Sequence, residues 1–342
     1  MKILSIVVPS YNAENYLDRS IPSLVVGGED VEIIIVNDGS KDNTLQIAKS
    51  YEEKYPNIVK VIDKENGGHG SGINAALEVA TGLYFKCCDA DDWFAEDAYH
   101  EFLDLIKKHI KEGTSPDLYL TNFVYNRLDT GKTHIHDCTT TYPANRFMTW
   151  KDLKSPNNKD FFMMHMFTYK TEILRKSKLH LPEHTFYVDN LYVYQPLYYV
   201  ETMYYLPVGL YQYYVGHADQ SISFENMAKN YKHALRVFER VMTVYTYDDI
   251  KKLGKAHKRY MLFSIVVIEA LTLFYSVIGK KKGSKKEYRL LKKDIKKRNK
   301  PLYNKANFRT RFIWSHICPP GPFRDFAVLT GYKIVKKKTG WY

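Results

Sequence analysis

Short apolar runs alternate with amphipathic stretches over residues 3–125, and this alternation constrains the fold more than any other feature of the chain. Residues 3–9 and 31–36 are runs rich in Ile and Val, and the stretches that follow them, 15–26 and 44–55, carry apolar positions at helical spacing. Strands separated by helices predict an α/β fold with a mostly parallel sheet and helices on both faces. Ligands of such sheets bind beyond the carboxyl ends of the strands, so the residues that follow each run are the candidates for a binding site.

Composition narrows the class of protein. With 342 residues, 45% of them hydrophobic and 15% aromatic, the chain has ample material for a packed core, which excludes disorder for most of it. The four cysteines include no C-x-x-C pair, so they predict neither a disulfide framework nor a zinc site and favour a reduced, cytosolic compartment. The N-terminal apolar run lacks a small-residue cleavage site, which predicts a strand rather than a signal peptide.

The second half of the chain follows a different pattern. Residues 160–216 are dense in aromatics, with ten tyrosines between Tyr187 and Tyr214. Most of them are expected to be structural, because alternating tyrosines such as Tyr211 and Tyr213 are typical of strand packing. Residues 225–245 carry apolar side chains at spacings of three and four and predict one amphipathic helix.

Residues 260–279 form a stretch of twenty in which Glu269 is the only charge. This length is sufficient for a transmembrane helix. A central Glu costs about 3 kcal/mol in a membrane, however, and both flanks are basic, against the loop asymmetry of a span. We therefore predict a buried bundle helix, with the membrane span as the alternative.

The net charge of +12 is unevenly distributed. Residues 280–342 contain 20 Lys and Arg against 3 Asp and Glu, a net charge of +17, whereas residues 1–279 have a net charge of −5. The positive charge therefore belongs to a C-terminal tail rather than to the α/β part.

Polar side chains follow three of the predicted strands. The first run ends in PSYN (9–12), the second in NDGS (37–40) and the fourth in DADD (89–92). Each ending alone is also typical of a turn or a helix cap. Asp89, Asp91 and Asp92 place three carboxylates within four residues, where repulsion is costly unless a cation or hydrogen-bond donors lie among them. Oxygen ligands in this small number predict Mg²⁺ or Mn²⁺ shared with phosphate oxygens.

Five short motifs in series make a family resemblance specific. They are VVPSYN (7–12), IVNDGSKD (35–42), NGG (66–68), ATGLY (80–84) and DADDW (89–93). In order and spacing the series resembles the family-two glycosyltransferases over about residues 3–95. The resemblance implies a GT-A fold, here followed by a helical C-terminal region, with inverting transfer from a UDP-sugar and a divalent metal, Mn²⁺ or Mg²⁺, on the D-x-D aspartates.

The resemblance assigns roles to five nucleotide-binding positions. Pro9 and Tyr11 would frame the base, the tyrosine by stacking on it. Asp38 would accept a hydrogen bond from the base imide N–H. Asn66 and Gly68 would lie in a loop packed against the nucleotide, because glycine permits close backbone approach.

The resemblance also assigns the diphosphate and metal contacts. Asp91 would ligate the metal that bridges the diphosphate, and Asp89 would contact the ribose or join the metal through a bound water. His217 would donate to a phosphate oxygen or complete the metal shell, or is an ordinary surface histidine. Ser221 lies in a Ser-Ile-Ser stretch that resembles the family's loop closing on the diphosphate.

Two positions depart from the family pattern. The usual arginine after the glycine loop is Ile73 here; His69 or Lys41 would substitute for it, or both are solvated loop residues. The family's general base is an aspartate about a hundred residues past the D-x-D, and Asp189 is at that distance, with Val188 in place of the usual glutamate. A helix N-cap is the alternative role for Asp189.

One histidine falls in an apolar stretch, residues 163–167. His165 lies near the expected acceptor region, and a packed core histidine is the prediction for it.

These features predict a GT-A catalytic domain over residues 1–220, with donor binding in 1–125 and an acceptor-facing part in 126–220, then a helical, strongly basic region over 221–342. The predicted activity is hexosyl or N-acetylhexosaminyl transfer to a glycan or lipid-linked acceptor, in cell-surface polysaccharide, teichoic acid or glycolipid synthesis. An anion- or nucleic-acid-binding protein on a degenerate transferase scaffold is the alternative. Nucleotidyl transfer would require the motif series to be coincidental.

The tail predicts the location of the protein. Basic residues interleaved with aromatics suit an anionic membrane surface, so we expect peripheral attachment at the cytoplasmic face of the plasma membrane, against a merely solvated tail. No nucleic-acid partner is expected, because no nucleic-acid-binding module is recognisable.

Overall fold

The computed structural model describes residues 2–156, 162–216, 224–279 and 283–306, together with residue 330. Two compact units divide the chain, Met1–Tyr214 and Val215–Tyr342. The predicted domain boundary at residue 220 lies outside the described residues.

The described part of the first unit contains a ten-stranded sheet with helices. The strands are β1 (Leu4–Ser10), β2 (Val31–Asp38), β3 (Val59–Lys64), β4 (Tyr84–Cys87), β5 (Trp93–Phe94), β6 (Leu118–Arg127), β7 (Lys132–His136), β8 (Phe147–Thr149), β9 (Phe167–Lys170) and β10 (Thr202–Tyr214). The helices are α1 (Leu17–Val25), α2 (Thr44–Lys54), α3 (His69–Val79), α4 (Glu96–Lys111), α5 (Thr171–Lys176) and α6 (Asp189–Leu197).

The sheet order is β3-β2-β1-β4-β9-β6-β10-β5, with β7 on β6 and β8 on β10. Strands β1 to β4 pair in parallel, as the alternating pattern predicts, and β6 pairs in parallel with β10. Strand β9 joins the two halves by pairing antiparallel with β4 and β6. The predicted α/β architecture is confirmed, and the antiparallel pairings of β5, β7, β8 and β9 are an addition that the alternating pattern does not predict.

Parallel register brings the strand ends to one edge. In β1, Ser10 pairs with Asn37 of β2, and Val7 pairs with Cys87 at the end of β4. All seven residues of β1 are buried, which fits a central strand covered on both faces. The polar residues that follow β1, β2 and β4 therefore meet beyond the same edge of the sheet.

The second unit is helical over its described residues. Its helices are α7 (Phe224–Lys229), α8 (Tyr231–Thr243), α9 (Tyr247–Lys252), α10 (Lys255–Ile278) and α11 (Ser284–Arg298). The predicted helical C-terminal region is thus confirmed. The prediction of a single helix over 225–245 is wrong, because the helix is interrupted at Asn230, which is the N-cap of α8. Asparagine competes for backbone hydrogen bonds and favours helix ends, and the apolar spacing continues across the break and conceals it.

Helix α10 is long and apolar enough to cross a membrane, and 67% of its apolar stretch is buried inside the structure. It packs against α8 and α11. Glu269 at its centre is buried, forms an ion pair with Lys292 of α11, and accepts a hydrogen bond from Tyr288 (3.2 Å). The carboxylate therefore has the partners that a charge needs inside a helical bundle.

Replacing Lys292 by Ala leaves Glu269 buried without its cation. We expect a loss of about 2 kcal/mol in the free energy of unfolding, because a desolvated charge then lacks its main partner. Urea-induced unfolding followed by circular dichroism measures the loss. Lys293→Ala, on the exposed side of the same helix, is the matched control and should change stability little. Equal stabilities of the two variants would contradict the structural role of the pair.

Candidate active site

Asp38, the last residue of β2, holds the glycine loop in place. One carboxylate oxygen, Oδ1, accepts hydrogen bonds from Lys64 Nζ (2.8 Å), the Gly67 N–H (2.9 Å) and Ser71 Oγ (3.2 Å). The other, Oδ2, accepts from the Gly68 N–H (2.6 Å). The side chain is buried, and charge-assisted bonds of this kind offset the desolvation of its charge. Asp38 thus anchors the loop, and its bond to a nucleotide base stays a prediction.

The loop glycines allow a second segment to approach closely. The His184 N–H donates to the Gly67 carbonyl (2.6 Å). A Cβ on Gly68, whose φ is +84°, would lie 3.2 Å from His184 N, and a Cβ on Gly70 would lie 2.8 Å from Leu181 Cβ. A side chain at either position would therefore push away the segment that leads into α6. Through this contact the glycine loop positions the start of α6, where Asp189 lies.

Asp189 is the first residue of α6, and Val188 is the N-cap, so the N-cap role considered for Asp189 belongs to its neighbour. The Asp189 carboxylate accepts from Asn190 Nδ2 (3.1 Å). Burial raises the pKa of Asp189, an effect that the positive charge of His69 only partly offsets. A carboxylate with a raised pKa is a better proton acceptor than an ordinary aspartate.

His69, the first residue of α3, pairs with Asp89 beyond β4. His69 Nε2 lies 2.8 Å from Asp89 Oδ1. Burial lowers the pKa of His69, but Asp89, Asp189 and Asp91 outweigh it and raise the pKa. Burial likewise raises the pKa of Asp89, while the charge and hydrogen bond of His69 lower it overall. Of the two candidates for the missing arginine, His69 lies among the carboxylates, whereas Lys41 is exposed.

Asp92 ties the acidic turn to β10. It is 0% exposed, and it accepts hydrogen bonds from the Tyr211 hydroxyl (2.5 Å) and the Tyr214 N–H (2.7 Å). The Tyr211 oxygen in turn accepts from the Asp89 N–H (3.1 Å). Burial, with the charges of Asp91 and Asp89, raises the pKa of Asp92 well above its usual range. Tyr211 is therefore part of the site, although its alternation along the strand predicted ordinary packing.

Arg19 supports the same turn from α1, and no motif of the sequence indicates this role. Its guanidinium donates to the Asp91 carbonyl (2.6 Å). The guanidinium carbon lies 4.4 Å from the Trp93 ring centroid and 4.9 Å from that of Tyr214. These cation–π contacts fix the backbone that presents Asp91.

His165 lies behind the turn. It is 7% exposed, as predicted for a core histidine, and its ring centroid is 4.5 Å from that of Tyr213 and 4.6 Å from that of Tyr211. Burial lowers the pKa of His165 to about 4, so the imidazole is neutral. Packing explains the ring stacking but not the position of its nitrogen, which lies close to the carboxylates of Asp89 and Asp92.

The donor atoms at this edge fit a divalent cation. Among the described residues, two groups have ligand atoms within 4.8 Å of one another. They are His69, Cys87 and Asp89, and Asp89, Asp92 and His165. Asp89, a predicted ligand, belongs to both groups, and Asp91 belongs to neither. Oxygen with imidazole nitrogen is a donor set that accommodates Mn²⁺. His217 and Ser221 lie outside the described residues.

The remaining predicted donor contacts surround the same edge. Tyr11 is 54% exposed just beyond β1, where its ring is open to a planar ligand. Asn66 donates from its side chain to the Asp38 carbonyl (2.8 Å). Pro9 is buried within β1, and a Cβ on Gly72 would lie 3.2 Å from Pro9 Cβ. The base contacts of Pro9, Tyr11 and Asn66 stay predictions.

The model of the family described as "Glycosyl transferase family 2" matches residues 5–177. The chain belongs to glycosyl transferase family 2. It is 38% identical over 140 residues to the putative glycosyltransferase EpsH of Bacillus subtilis (strain 168), covering 41% of this chain and 39% of that protein. It is 37% identical over 111 residues to the minor teichoic acid biosynthesis protein GgaB of the same organism, covering 32% of this chain and 12% of that protein. The chain therefore spans well under half the length of these relatives.

Solved structures confirm the predicted GT-A fold of this chain. S. aureus TarS is 22% identical with a TM-score of 0.54, over 80% of this chain and 43% of that one. TarS 1-349 in complex with UDP-GlcNAc is 18% identical with a TM-score of 0.51, over 87% of this chain and 93% of that one.

Replacing Asp38 by Asn removes the charge that faces Lys64 and two backbone N–H groups. We expect a loss of about 2 kcal/mol in the free energy of unfolding. The NH₂ group of the new amide cannot accept hydrogen bonds from the donors that face the carboxylate. Urea-induced unfolding measures the loss. Glu65→Gln, an exposed carboxylate of the same loop, is the matched control. Equal stability of the two variants would show that Asp38 does not anchor the loop.

Proposed function

We propose that this chain is an inverting, metal-dependent glycosyltransferase that moves a sugar from a UDP-sugar to a hydroxyl of a glycan or lipid-linked acceptor. The observation that carries the proposal is the meeting of Asp89, His69 and Asp189 at the edge of a family-2 scaffold. His69 is hydrogen-bonded to Asp89, and the Asp189 carboxylate raises its pKa. This arrangement offers a base, a cation and a ligand for metal within one site.

The donor proposal rests on the nucleotide-binding edge. TarS, which shares the fold, was solved with UDP-GlcNAc, and this supports a UDP-sugar as the donor here. The exposed Tyr11 ring would stack on the base, with Pro9, Asp38 and Asn66 around it. Gly68 leaves room for the backbone to approach the nucleotide, because it carries no Cβ.

Asp189 is the proposed general base. It would take the proton of the acceptor hydroxyl as that oxygen attacks the anomeric carbon on the side opposite the leaving UDP. Its raised pKa suits this role, because the carboxylate holds the proton more strongly than an exposed aspartate does. His69 would keep positive charge beside the departing diphosphate, the place of the family's arginine.

A divalent cation would be held by Asp89 and Asp91, with His217 completing the shell and Ser221 near the diphosphate. Bound Mn²⁺ or Mg²⁺ neutralises negative charge on a departing nucleotide. The oxygen-rich turn supports this proposal, because its carboxylates repel one another without a cation.

The acceptor proposal comes from the relatives. GgaA and GgaB are named as minor teichoic acid biosynthesis proteins, and a relative from Pasteurella multocida, 38% identical over 121 residues, is named as a hyaluronan synthase. We propose a related role here, in synthesis of teichoic acid, another cell-surface polysaccharide or a glycolipid, with a hexosyl or N-acetylhexosaminyl group transferred.

Helix α11 supports attachment to an anionic membrane surface, at the cytoplasmic face of the plasma membrane. Its buried face includes Tyr288 and Ile295, whereas Leu290 is 56% exposed. Around Leu290 lie exposed cations: Lys286, Arg289, Lys293, Lys296 and Lys297. A basic face with a central apolar side chain suits the headgroup region of anionic lipid.

Asp189→Asn tests the catalytic proposal. We expect transfer to fall by about a hundredfold or more, because the amide cannot accept the proton, while UDP affinity is nearly unchanged. UDP release is measured with Mn²⁺ over a panel of UDP-sugars, and UDP affinity by calorimetry. Glu183→Gln, an exposed carboxylate of the segment before α6, is the control. Retained turnover in Asp189→Asn would exclude it as the base, and salt-sensitive nucleic-acid binding without UDP affinity would favour the degenerate scaffold.

Replacing Lys286, Arg289, Lys293 and Lys297 by Gln tests the membrane proposal. We expect at least about a tenfold loss of binding to anionic vesicles, since each cation near the surface adds about 1 kcal/mol. Co-sedimentation with vesicles at increasing phosphatidylserine content measures the loss. Gln replacements of Lys54, Lys60, Lys108 and Lys111, exposed cations of the first unit, are the control. Equal loss in both variants would indicate a nonspecific effect of net charge.

A further inference from the structure

A group of buried ligand atoms lies behind the acidic turn. Oxygens of Asp89 and Asp92 and a ring nitrogen of His165 lie within 4.8 Å of one another. Asp92 is 0% exposed and His165 is 7% exposed, so two of the three side chains are shielded from water. Nδ1 of His165 is buried and has no hydrogen-bond partner in the described structure.

This arrangement is costly for an empty site. A buried nitrogen without a partner costs about 1–3 kcal/mol. Burial of Asp92 and the negative charge of Asp89 beside it add a cost that the hydrogen bonds to Asp92 offset only in part. The Tyr211 hydroxyl and the Tyr214 N–H each donate a hydrogen bond to one carboxylate oxygen of Asp92, and neither bond involves the His165 ring. A divalent cation would bind a ring nitrogen of His165 and oxygens of both carboxylates at once.

We propose that His165 is a nitrogen ligand of the divalent cation, which it holds together with Asp89 and Asp92. The inference rests on the metal dependence proposed above and assigns to the cation a residue that no motif of the sequence indicates. Asp89 is shared with the proposed D-x-D contact, so Asp92 and His165 would add to the ligands proposed above for the same cation, Asp91 and His217.

The surroundings of His165 hold it ready for this role. Lys86 Nζ donates to the His165 carbonyl (2.8 Å) and to the Phe167 carbonyl (3.3 Å), which fixes the backbone before β9. The imidazole stacks on the Tyr213 ring and contacts the Tyr211 ring edge to face. A ligand fixed from both backbone and ring loses little freedom when it binds a metal.

The ligand chemistry predicts which cation the site prefers. Mg²⁺ demands oxygen ligands and keeps its waters, whereas an imidazole nitrogen suits first-row transition metals. A site of two carboxylates and one imidazole therefore favours Mn²⁺ over Mg²⁺. Loss of the nitrogen should reduce that preference.

The experiment uses the full chain with Mn²⁺ and no nucleotide, in a His217→Ala background, because His217 is itself a proposed ligand. Electron spin-echo envelope modulation detects a ¹⁴N nucleus bound to Mn²⁺, and titration followed by electron paramagnetic resonance gives the Kd and its competition by Mg²⁺. His165→Phe keeps the aromatic stacking. His136→Phe is the matched control, since His136 stacks on Phe123 beside His165 and belongs to neither ligand group.

We expect a ¹⁴N signal that persists in His136→Phe and is lost in His165→Phe, with Mn²⁺ binding weakened by about tenfold or more. A signal that persists in His165→Phe, or that is lost only in His69→Phe, would overturn the proposal. A spectrum of the protein with His165 unchanged that shows no ¹⁴N coupling would also overturn the proposal, and that measurement does not depend on the folding of a His165 variant. Absence of UDP-sugar turnover with any metal would instead contradict the proposed function, so the two failures are distinguishable.

Discussion

The carboxylate of Asp38 is the interaction on which the rest of the site depends. It comes from β2, yet its four donors include the N–H groups of Gly67 and Gly68 in the loop before α3. That loop carries His69 on one side and receives the His184 N–H on the other. A single buried carboxylate thus joins the sheet, the imidazole of His69 beside Asp89 and the segment that presents Asp189.

The charges of the site are balanced by partners of different kinds. Asp89 is paired with the imidazole of His69, and Asp92 is satisfied by a tyrosine hydroxyl and a backbone N–H. Asp189 accepts a hydrogen bond from the Asn190 side-chain amide, and burial raises its pKa although Asn190 and the charge of His69 oppose that shift. Three carboxylates at one edge therefore differ in proton affinity because of their surroundings, which suits one for taking a proton and another for holding a cation.

The sequence predicts those parts of the fold and site that are encoded locally. The alternation up to α4 and the polar strand ends give the parallel half of the sheet and the positions of Asp38 and Asp89. It does not predict His165, Tyr211 or Asp92 as neighbours, because the fold brings them together from distant parts of the chain, Asp92 and Tyr211 across 119 residues. Alternating tyrosines have the same sequence pattern whether or not a hydroxyl donates a hydrogen bond to an aspartate. The apolar spacing does not reveal that the helix is interrupted at Asn230, because the spacing continues across this residue.

The absence of the family's arginine has a physical explanation in α3. Ile73 is fully buried in the core, so its position has no room for a hydrated guanidinium. His69 lies one turn earlier on the same face of the helix, at the spacing i, i+4. A positive charge on His69 in the first turn would oppose the helix dipole, and the negative charges of Asp89, Asp189 and Asp91 favour it. In the proposed mechanism His69, which is hydrogen-bonded to Asp89, takes the place of the arginine that the family resemblance implies.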